Sequence, residues 1–397
     1  MTEKFSPETR ALIKAQLTRR RFLAGAGAVG ASAVLAACGG AKQEAGSASE
    51  SASSDASGTV RWANWPAYMD FDSKTKKYPS LETFIAASGI NVVYKEDVND
   101  NDEFFGKVQG QLKIGKDIGY DIVTLTDWMA GRWIRLGYTQ EFDEGAIPNK
   151  ANILPTLENV GFDPGRKSSL TWQSGFAGFG WNKELVPGGI KSLDQLFDKK
   201  YKGRIEVLSE MRDTMGIIMQ YQSVDPSQPF TQDQFMNAVD FLQKQVSDGV
   251  IRQVKGNDYL EDMVNGDAVA VIGWSGDIFS LSKENQGKFE FAIPESGGTL
   301  WSDNVMIPVT STNKKNAEAV INNYYDPAVA AQVAAYVNYV CPVVGAKAEM
   351  EKIDAKLANS PFIFPDDTTL AKVRVFRPLS PEEETTFGEA FAAASGN

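Results

Sequence analysis

The chain contains no histidine among its 397 residues and only two cysteines, Cys38 and Cys341. The absence of histidine excludes a Ser-His-Asp triad, a Cys-His pair and any histidine-ligated metal site. Long apolar runs are equally scarce, because no stretch of 18 apolar residues occurs after the N-terminal segment. Histidine-based enzymes and multi-span membrane proteins are therefore not expected.

The N-terminal segment carries two short motifs that resemble signals for export and lipidation. Thr18-Arg19-Arg20-Arg21-Phe22-Leu23 resembles a twin-arginine signal, and Leu35-Ala36-Ala37-Cys38 resembles a lipobox. The apolar run from Phe22 to Ala37 is shorter than the roughly 20 residues that cross a bilayer, which leaves a buried N-terminal helix as the alternative. We expect residues 1–37 to be a twin-arginine lipoprotein signal. Lipid on Cys38 would then hold the protein at the extracytoplasmic face of the membrane and leave Cys341 without a disulfide partner.

Residues 38–57 consist mainly of glycine, alanine, serine and glutamate and contain no aromatic residue. Such a segment cannot bury a core, so we expect a flexible tether with a reach of roughly 25 Å.

Loss of residues 1–37 removes six basic and two acidic residues and changes the net charge from -11 to -15. This charge argues against nucleic acid as a partner and suits cationic ligands, although solubility alone also accounts for it.

After the tether, strand and helix patterns alternate, which predicts an α/β fold with an open sheet and right-handed crossovers. Strands are predicted at 59–65, 91–94, 120–125, 204–208 and 268–274, and helices at 81–88, 102–113, 214–222, 235–246, 315–324 and 328–337. Ligands in open α/β sheets bind beyond the carboxyl ends of the strands. The residues at 65–68, 126–128, 209–213 and 274–277 occupy these positions, and they are rich in aromatic and acidic side chains.

Four blocks in this order resemble the spermidine/putrescine-binding proteins of ABC importers, over about Thr59 to Tyr339. They are Asn64-Trp65-Pro66-Ala67-Tyr68; Asp121-Ile122-Val123 with Thr126 and Trp128; Tyr201-Lys202-Gly203-Arg204 before Glu210-Met211-Arg212-Asp213; and Pro294, Gly297-Gly298, Trp301 and Asp303. Any one block is weak, but four in order behind a lipobox are a specific signal.

The resemblance implies a type II periplasmic-binding-protein fold, in which a ligand cleft separates two lobes and each lobe is an open mixed sheet flanked by helices. We expect one lobe at 58–172 plus 302–349 and the other at 173–301 plus 350–397. The glycine-rich stretch at 175–180 would cross between the lobes and act as a hinge. The resemblance further implies a monomer with a permease partner, no cofactor, no metal and no catalytic residue.

The resemblance also implies a set of ligand-binding residues suited to a polyamine, whose ammonium groups need carboxylates and whose methylenes need apolar walls. The candidate acids are Glu210, Asp213, Asp277 and Asp303. The candidate walls are Trp65, Tyr68, Trp128, Trp274, Trp301 and Tyr339, with Thr126 as a hydrogen-bonding contact.

Several of these residues have a simpler interpretation as well. Glu210 and Asp213 precede a predicted helix and could cap it, and Arg212 could neutralise one of them. Asp121 and Asp127 are expected in turns facing solvent. The tyrosine pair at 324–325 resembles that of ferric-ion binders but closes a predicted helix, so iron is not favoured.

Departures from the family pattern leave the identity of the polyamine open. Glu210 and Asp213 exchange the two acid types, Trp128 replaces a tyrosine, and Asp277 is typical of the putrescine-preferring branch. Two alternatives stay open at this point. One is a receptor for another small molecule, such as a sugar or an amino acid. The other is an exported hydrolase that uses paired carboxylates, Glu210 with Asp213 or Asp277 with Asp303.

Overall fold

A computed structural model describes residues 58–396. The predicted signal at 1–37, the lipidation site Cys38 and the tether at 38–57 lie outside these residues. No helix within the described part is both long enough and apolar enough to cross a membrane.

The strands of the described residues form one ten-stranded mixed sheet. They are β1 (Thr59–Asn64), β2 (Asn91–Glu96), β3 (Ile122–Thr126), β4 (Leu170–Asn182), β5 (Ile205–Leu208), β6 (Ile251–Lys255), β7 (Ala270–Trp274), β8 (Phe289–Ala292), β9 (Gly298–Met306) and β10 (Val373–Arg374). The strand order is β2-β1-β3-β9-β4-β7-β5-β6, with β8 paired to β4 and β10 paired to β9.

Two parallel groups of strands lie on either side of an antiparallel centre. In the first group β1 pairs with β2 and β3, and in the second β5 pairs with β6 and β7. The antiparallel strands β4 and β9 join the two groups, because β9 pairs with β3, and β4 pairs first with β9 and then with β7. The structure confirms the predicted α/β class with a large mixed sheet.

Helices cover the faces of this sheet. They are α1 (Pro79–Ser88), α2 (Asn101–Lys113), α3 (Asp127–Arg135), α4 (Pro155–Glu158), α5 (Leu193–Leu196), α6 (Met211–Tyr221), α7 (Gln232–Ser247), α8 (Tyr259–Asn265), α9 (Ser275–Glu284), α10 (Lys314–Tyr324), α11 (Pro327–Val337), α12 (Ala346–Ile353), α13 (Ala355–Ala358), α14 (Asp367–Leu370) and α15 (Pro381–Ser395). Two 3₁₀ turns span Pro148–Asn152 and Lys199–Tyr201.

Local sequence explains where the longer helices begin. Thr231 and Ser380 form capping boxes at the starts of α7 and α15, in which each hydroxyl accepts a backbone N–H of the first turn. The carboxylate of Asp326 caps α11 by accepting backbone N–H groups of its first turn, and Pro327 occupies the first helical position. The helix α15, which was not predicted, packs on α7 through stacked Phe387 and Phe235 rings 4.0 Å apart.

The hydrophobic core is divided between the two groups of strands. Alternate residues of the first group point to opposite faces, so Trp62 and Ile122 enter one cluster, whereas Ala63 and Val123 enter another. A single larger cluster surrounds β5 and β7 and includes the buried side of α15. We call the two clusters of the first group together the first core, and the single cluster around β5 and β7 the second core.

The chain passes between the two cores several times, mainly along β4 and β9. The glycine-rich stretch at 175–180 lies within β4, where every residue is buried. Near the C-terminus, Met350 and Ile363 pack in the first core, whereas Val373 packs in the second. Phe362, next to Ile363, packs against Phe279 and Phe291 of the second core, so side chains of this segment reach both cores.

Two acids expected to face solvent are instead buried or partly buried, which corrects the sequence-based interpretation. Asp121 is 1 % exposed and accepts hydrogen bonds from the backbone N–H of Arg61 at 2.9 Å and from the Ser311 hydroxyl at 2.8 Å. Asp127 begins α3 and accepts a hydrogen bond from the Asn304 amide at 2.7 Å. Hydrogen bonds across elements hold both carboxylates inside the fold.

Candidate functional site

A cavity of about 570 Å³ opens between the two cores, at the carboxyl ends of the strands. Ten of the eleven sequence-predicted site residues line it: Trp65, Tyr68, Thr126, Glu210, Asp213, Trp274, Asp277, Trp301, Asp303 and Tyr339. The other lining residues are Pro66, Asn99, Asp100, Asn101, Ser209, Gly256 and Asn257. We call this space the central cavity.

Asp303 projects from the middle of β9 and is held by two hydroxyl groups. The Tyr68 hydroxyl donates to one carboxylate oxygen at 2.9 Å, and the Thr126 hydroxyl donates to the other at 2.7 Å. Asn101 in turn donates to the Thr126 hydroxyl oxygen at 2.9 Å. Burial raises the pKa of Asp303 to about 7, although both hydroxyl bonds act in the opposite direction. Its charge has no cationic partner in the cavity lining.

Asp277, in the first turn of α9, has a similar environment, to which Tyr339 of the first core and Tyr259 of the second both contribute. It accepts hydrogen bonds from the Tyr339 hydroxyl at 2.6 Å, the Asn257 amide at 2.9 Å and the Tyr259 hydroxyl at 3.2 Å. Burial raises the pKa of Asp277 despite these donors. The side-chain oxygen of Asn257 is itself buried without a donor among the described residues. Two acids, each held by a tyrosine hydroxyl, therefore face the same cavity.

Asp213 and Glu210 come from the start of α6. Asp213 accepts hydrogen bonds from the Trp274 indole N–H at 2.8 Å and from the Thr299 hydroxyl at 2.5 Å, and burial raises its pKa to about 6. Glu210 is the N-cap of α6 and accepts the backbone N–H of Arg212 at 3.2 Å. Burial raises the pKa of Glu210 to about 8. The capping role and the cavity position thus coexist in Glu210.

Aromatic rings form the apolar surface of the central cavity. The Trp301 ring lies edge-to-face with Tyr339 at 5.1 Å and with Trp274 at 6.5 Å between centroids. Tyr68 packs against Tyr339 in the same manner at 5.5 Å. The indole N–H groups of Trp301 and Trp65 are buried and have no hydrogen-bond partner among the described residues. These contacts fix the rings relative to one another before any ligand is present.

Two glycines leave the space that these rings occupy. A Cβ atom at Gly175 in β4 would lie 2.4 Å from Trp301 and 2.7 Å from Tyr339. A Cβ atom at Gly276 would lie 2.7 Å from the Tyr339 ring. The two rings therefore rest directly on backbone, which only glycine allows at these positions.

The electrostatic character of the central cavity is negative. Among the residues that the structure describes, five carboxylates line it, those of Asp100, Glu210, Asp213, Asp277 and Asp303, and no lysine or arginine does. Burial raises the pKa of every one of them, because charged carboxylates are poorly solvated there. Such a site favours a cation with apolar segments. Within residues 58–396, no group of three His, Cys, Asp or Glu side chains is arranged to hold a metal ion.

Trp128 is the one predicted site residue that does not line the central cavity. Its indole N–H donates to Glu210 at 3.2 Å, so it touches the site only from behind that carboxylate. Two arginine side chains stack on its ring, with the guanidinium carbons of Arg212 and Arg132 at 4.1 and 4.8 Å from the ring centroid. The expected wall for ligand methylenes is instead a stacking surface for arginine.

Sequence reasoning missed the lining residues at 99–101 and 256–257. The first group follows β2, and the second follows β6. The rule that ligand residues follow strands would have found both groups. However, β6 was not predicted, because its sequence Ile251-Arg252-Gln253-Val254-Lys255 is largely polar, and the polar end of β2 was not included in its predicted strand.

The chain matches the bacterial extracellular solute-binding protein family over residues 80–361, which is more than half of its length. It therefore belongs to that family. It is similar to the spermidine/putrescine-binding periplasmic protein of Escherichia coli K12, with 26% identity over 80% of this chain and 86% of that protein. It is also similar to the putrescine-binding periplasmic protein PotF of the same organism, with 25% identity over 82% and 88% of the two chains.

Among solved structures, the chain is similar to the spermidine/putrescine ABC transporter substrate-binding protein PotD from Streptococcus pneumoniae. The TM-score is 0.69 at 24% identity, and the match covers 85% of this chain and 98% of that one. The match confirms the two-lobe periplasmic-binding-protein fold expected from the sequence motifs. At this level of identity the structural likeness establishes the fold, and the ligand has to be inferred from the chemistry of the site.

Proposed function

We propose that this protein captures a polyamine outside the cytoplasm and delivers it to the permease of an ABC transporter. The observation that carries the proposal is the composition of the central cavity, in which five carboxylates and five aromatic side chains of residues 58–396 are combined with no basic side chain from that range. A polyamine carries ammonium groups separated by methylene runs, so it matches both kinds of surface. The names of the relatives from Escherichia coli agree with this ligand class.

In the proposed complex, Asp303 and Asp277 are the main ammonium partners. Each is buried, lacks a cationic partner in the cavity, and is already oriented by a tyrosine hydroxyl. The free side-chain oxygen of Asn257 offers a further acceptor beside Asp277. The faces of Trp274 and Trp301 accommodate the methylenes. A micromolar affinity requires about -8 kcal/mol, which a few desolvated ion pairs and ring contacts can supply.

Binding is proposed to close two lobes on the ligand. Tyr68 and Thr126 come from the first core or its edge, whereas Asp213 and Asp277 come from elements around the second core. A ligand that contacts both sets binds the closed arrangement better than the open one and shifts the population toward it. The lobe assignment, 58–172 plus 302–349 and 173–301 plus 350–397, is part of this proposal.

The cavity composition disfavours the alternative ligands and the alternative activity. An amino-acid receptor needs a basic group for the ligand carboxylate, and the cavity lining contains none. A hydrolase needs one carboxylate free to act as a base or nucleophile. In this site Asp213, Asp277 and Asp303 each accept at least two side-chain hydrogen bonds. We therefore propose a binding protein without catalytic activity, active as a monomer and without a cofactor.

Export by the twin-arginine route and anchoring through lipid on Cys38 complete the proposal. They are supported by the motifs at 18–23 and 35–38. Cells that express the protein should incorporate labelled fatty acid into it and retain it in the membrane fraction. The Cys38→Ser variant should lose the label and leave that fraction, and retention of label by the variant would contradict lipidation at Cys38.

Isothermal titration calorimetry with putrescine, spermidine, spermine, a neutral sugar and an amino acid tests the ligand class. We expect at least one polyamine to bind with a dissociation constant of about a micromolar or lower, and the sugar and amino acid to give no heat. Absence of binding by every amine would remove the proposal.

The pH dependence provides an internal check on the same titration. Because the empty cavity raises the pKa of Asp303 to about 7 and of Asp213 to about 6, these carboxyls bind protons that an ammonium group must displace. We expect polyamine affinity to fall by about tenfold or more from pH 8 to pH 5.5, with protons released on binding near neutral pH. An affinity independent of pH would show that these carboxylates do not contact the ligand.

A further inference from the structure

A group of charged side chains surrounds Trp128 behind the Glu210 end of the central cavity. We call Trp128, Arg132, Arg212 and Glu384 the arginine cluster. Glu384 from α15 bridges the two arginines, with Arg132 at 3.3 Å and Arg212 at 3.6 Å. Both guanidinium groups lie over the Trp128 ring. The indole N–H of Trp128 hydrogen-bonds Glu210, which connects the arginine cluster to the cavity wall.

A second, larger cavity lies beyond this wall. It has a volume of about 1010 Å³ and a largely apolar lining that includes Phe162, Leu300 and Phe376. It shares the lining residues Thr126, Glu210, Asp213 and Trp301 with the central cavity, whereas Trp128 and Arg212 line only the second cavity of these two. We call the four shared residues the partition between the two cavities. The indole of Trp128 and the guanidinium of Arg212 thus lie next to this partition.

Beyond the partition, basic side chains occur that the central cavity lacks: Arg135, Arg212 and Arg377 line the second cavity together with Asp127 and Glu384. Arg132, Arg135 and Arg212 converge on the single carboxylate of Glu384, and Arg132 is also paired with the exposed Asp102 at 2.9 Å. The side-chain Nε of Arg212 is buried without a hydrogen-bond partner among the described residues. An ammonium group that reached past Glu210 would meet guanidinium groups and an aromatic ring already occupied by them.

We propose that the arginine cluster limits the length of the ligand, so that the central cavity accepts diamines and rejects triamines and tetraamines. This inference rests on the proposed polyamine function. A diamine places both ammonium groups within the acidic cavity. A triamine either leaves its third ammonium group in solvent or directs it toward the arginine cluster. Trp128 and Arg212 act as specificity determinants by excluding the longer ligand, and not by contacting the shorter one.

The test compares putrescine, cadaverine, spermidine and spermine by calorimetry on the wild type and on two variants. For the wild type we expect putrescine to bind at least about tenfold more tightly than spermidine, a difference of about 1.4 kcal/mol. Trp128→Ala removes the ring between the two spaces, and Arg212→Gln removes a positive charge while keeping a polar side chain. Each variant should reduce the putrescine-to-spermidine preference by about tenfold, through tighter spermidine binding.

A matched control is Arg374→Gln, which removes an arginine paired with Asp225 at the surface, outside both cavity linings. It should keep the wild-type preference, and thermal melting should establish that each variant is folded. If the wild type binds spermidine as tightly as putrescine, or if both folded variants keep the wild-type preference, the length limit is wrong while the polyamine function stands. If no amine binds the wild type, the proposed function itself fails.

Discussion

Replacement of Asp303 by asparagine should weaken polyamine binding by about 100- to 1,000-fold, the largest effect expected of any single substitution in the site. Removal of one partner from a buried ion pair costs about 3–5 kcal/mol, and each 1.4 kcal/mol is tenfold in affinity. Asparagine has nearly the same shape and keeps one oxygen for the Tyr68 or Thr126 hydroxyl, so the fold should persist. Calorimetric titration of the variant with the best wild-type amine measures the effect.

The control for this prediction is Asp225→Asn, which removes a carboxylate paired with Arg374 at the surface. Exposed ion pairs contribute little, so its affinity should stay within about twofold of wild type. The free energy of unfolding of empty Asp303→Asn should not fall, because the substitution removes a carboxyl that burial disfavours in its charged form. A loss of affinity below about fivefold would show that Asp303 faces no ammonium group.

Substitution of Gly175 by alanine is expected to lower affinity by about 10- to 100-fold without touching any charged group. The added Cβ atom would lie 2.4 Å from Trp301 and 2.7 Å from Tyr339, so one or both rings must move. Overpacking of this kind costs about 1–3 kcal/mol, and here it falls on the rings that line the central cavity. The shift in ring position should also alter tryptophan fluorescence in the empty protein.

Gly188→Ala is the matched control, because a Cβ atom at Gly188 would have no neighbour within 4 Å. Its affinity and fluorescence should equal those of the wild type. If Gly175→Ala binds amines normally, then Trp301 and Tyr339 have freedom to adjust, and their arrangement in the empty protein does not determine affinity.

Local patterns in the sequence were sufficient to predict the strands β1, β2, β3, β5 and β7 and most of the site. The strand 59–64 has an alternating apolar pattern, and Trp65 and Tyr68 follow its carboxyl end, so their approach to the cavity could be anticipated. The same logic placed Glu210 after β5 and Asp277 after β7. Short-range signals of this kind depend only on residues near each other in the chain.

The central strands β4 and β9 could not be predicted from such local patterns. Every residue of β4 is buried, so its sequence shows no alternation, and its three glycines at 175, 178 and 180 normally weaken a strand prediction. These glycines are explained only by partners distant in sequence, such as Trp301 at Gly175 and Phe291 at Gly178. Trp128 presents the same difficulty, because its ring contacts Arg132 on its own helix but also Arg212, which lies far along the chain.

The shared strands β4 and β9 have a consequence for any attempt to re-engineer this receptor. Trp301 and Asp303 belong to β9, and Gly175 belongs to β4, the two segments that connect the strand groups on either side. In the proposed mechanism, residues that contact the ligand therefore lie on the strands that connect the two lobes. Substitutions that change which molecule these residues recognise would therefore also shift the equilibrium between the open and closed conformations. A fluorescent sensor built on this scaffold would then change its ligand-free signal together with its selectivity.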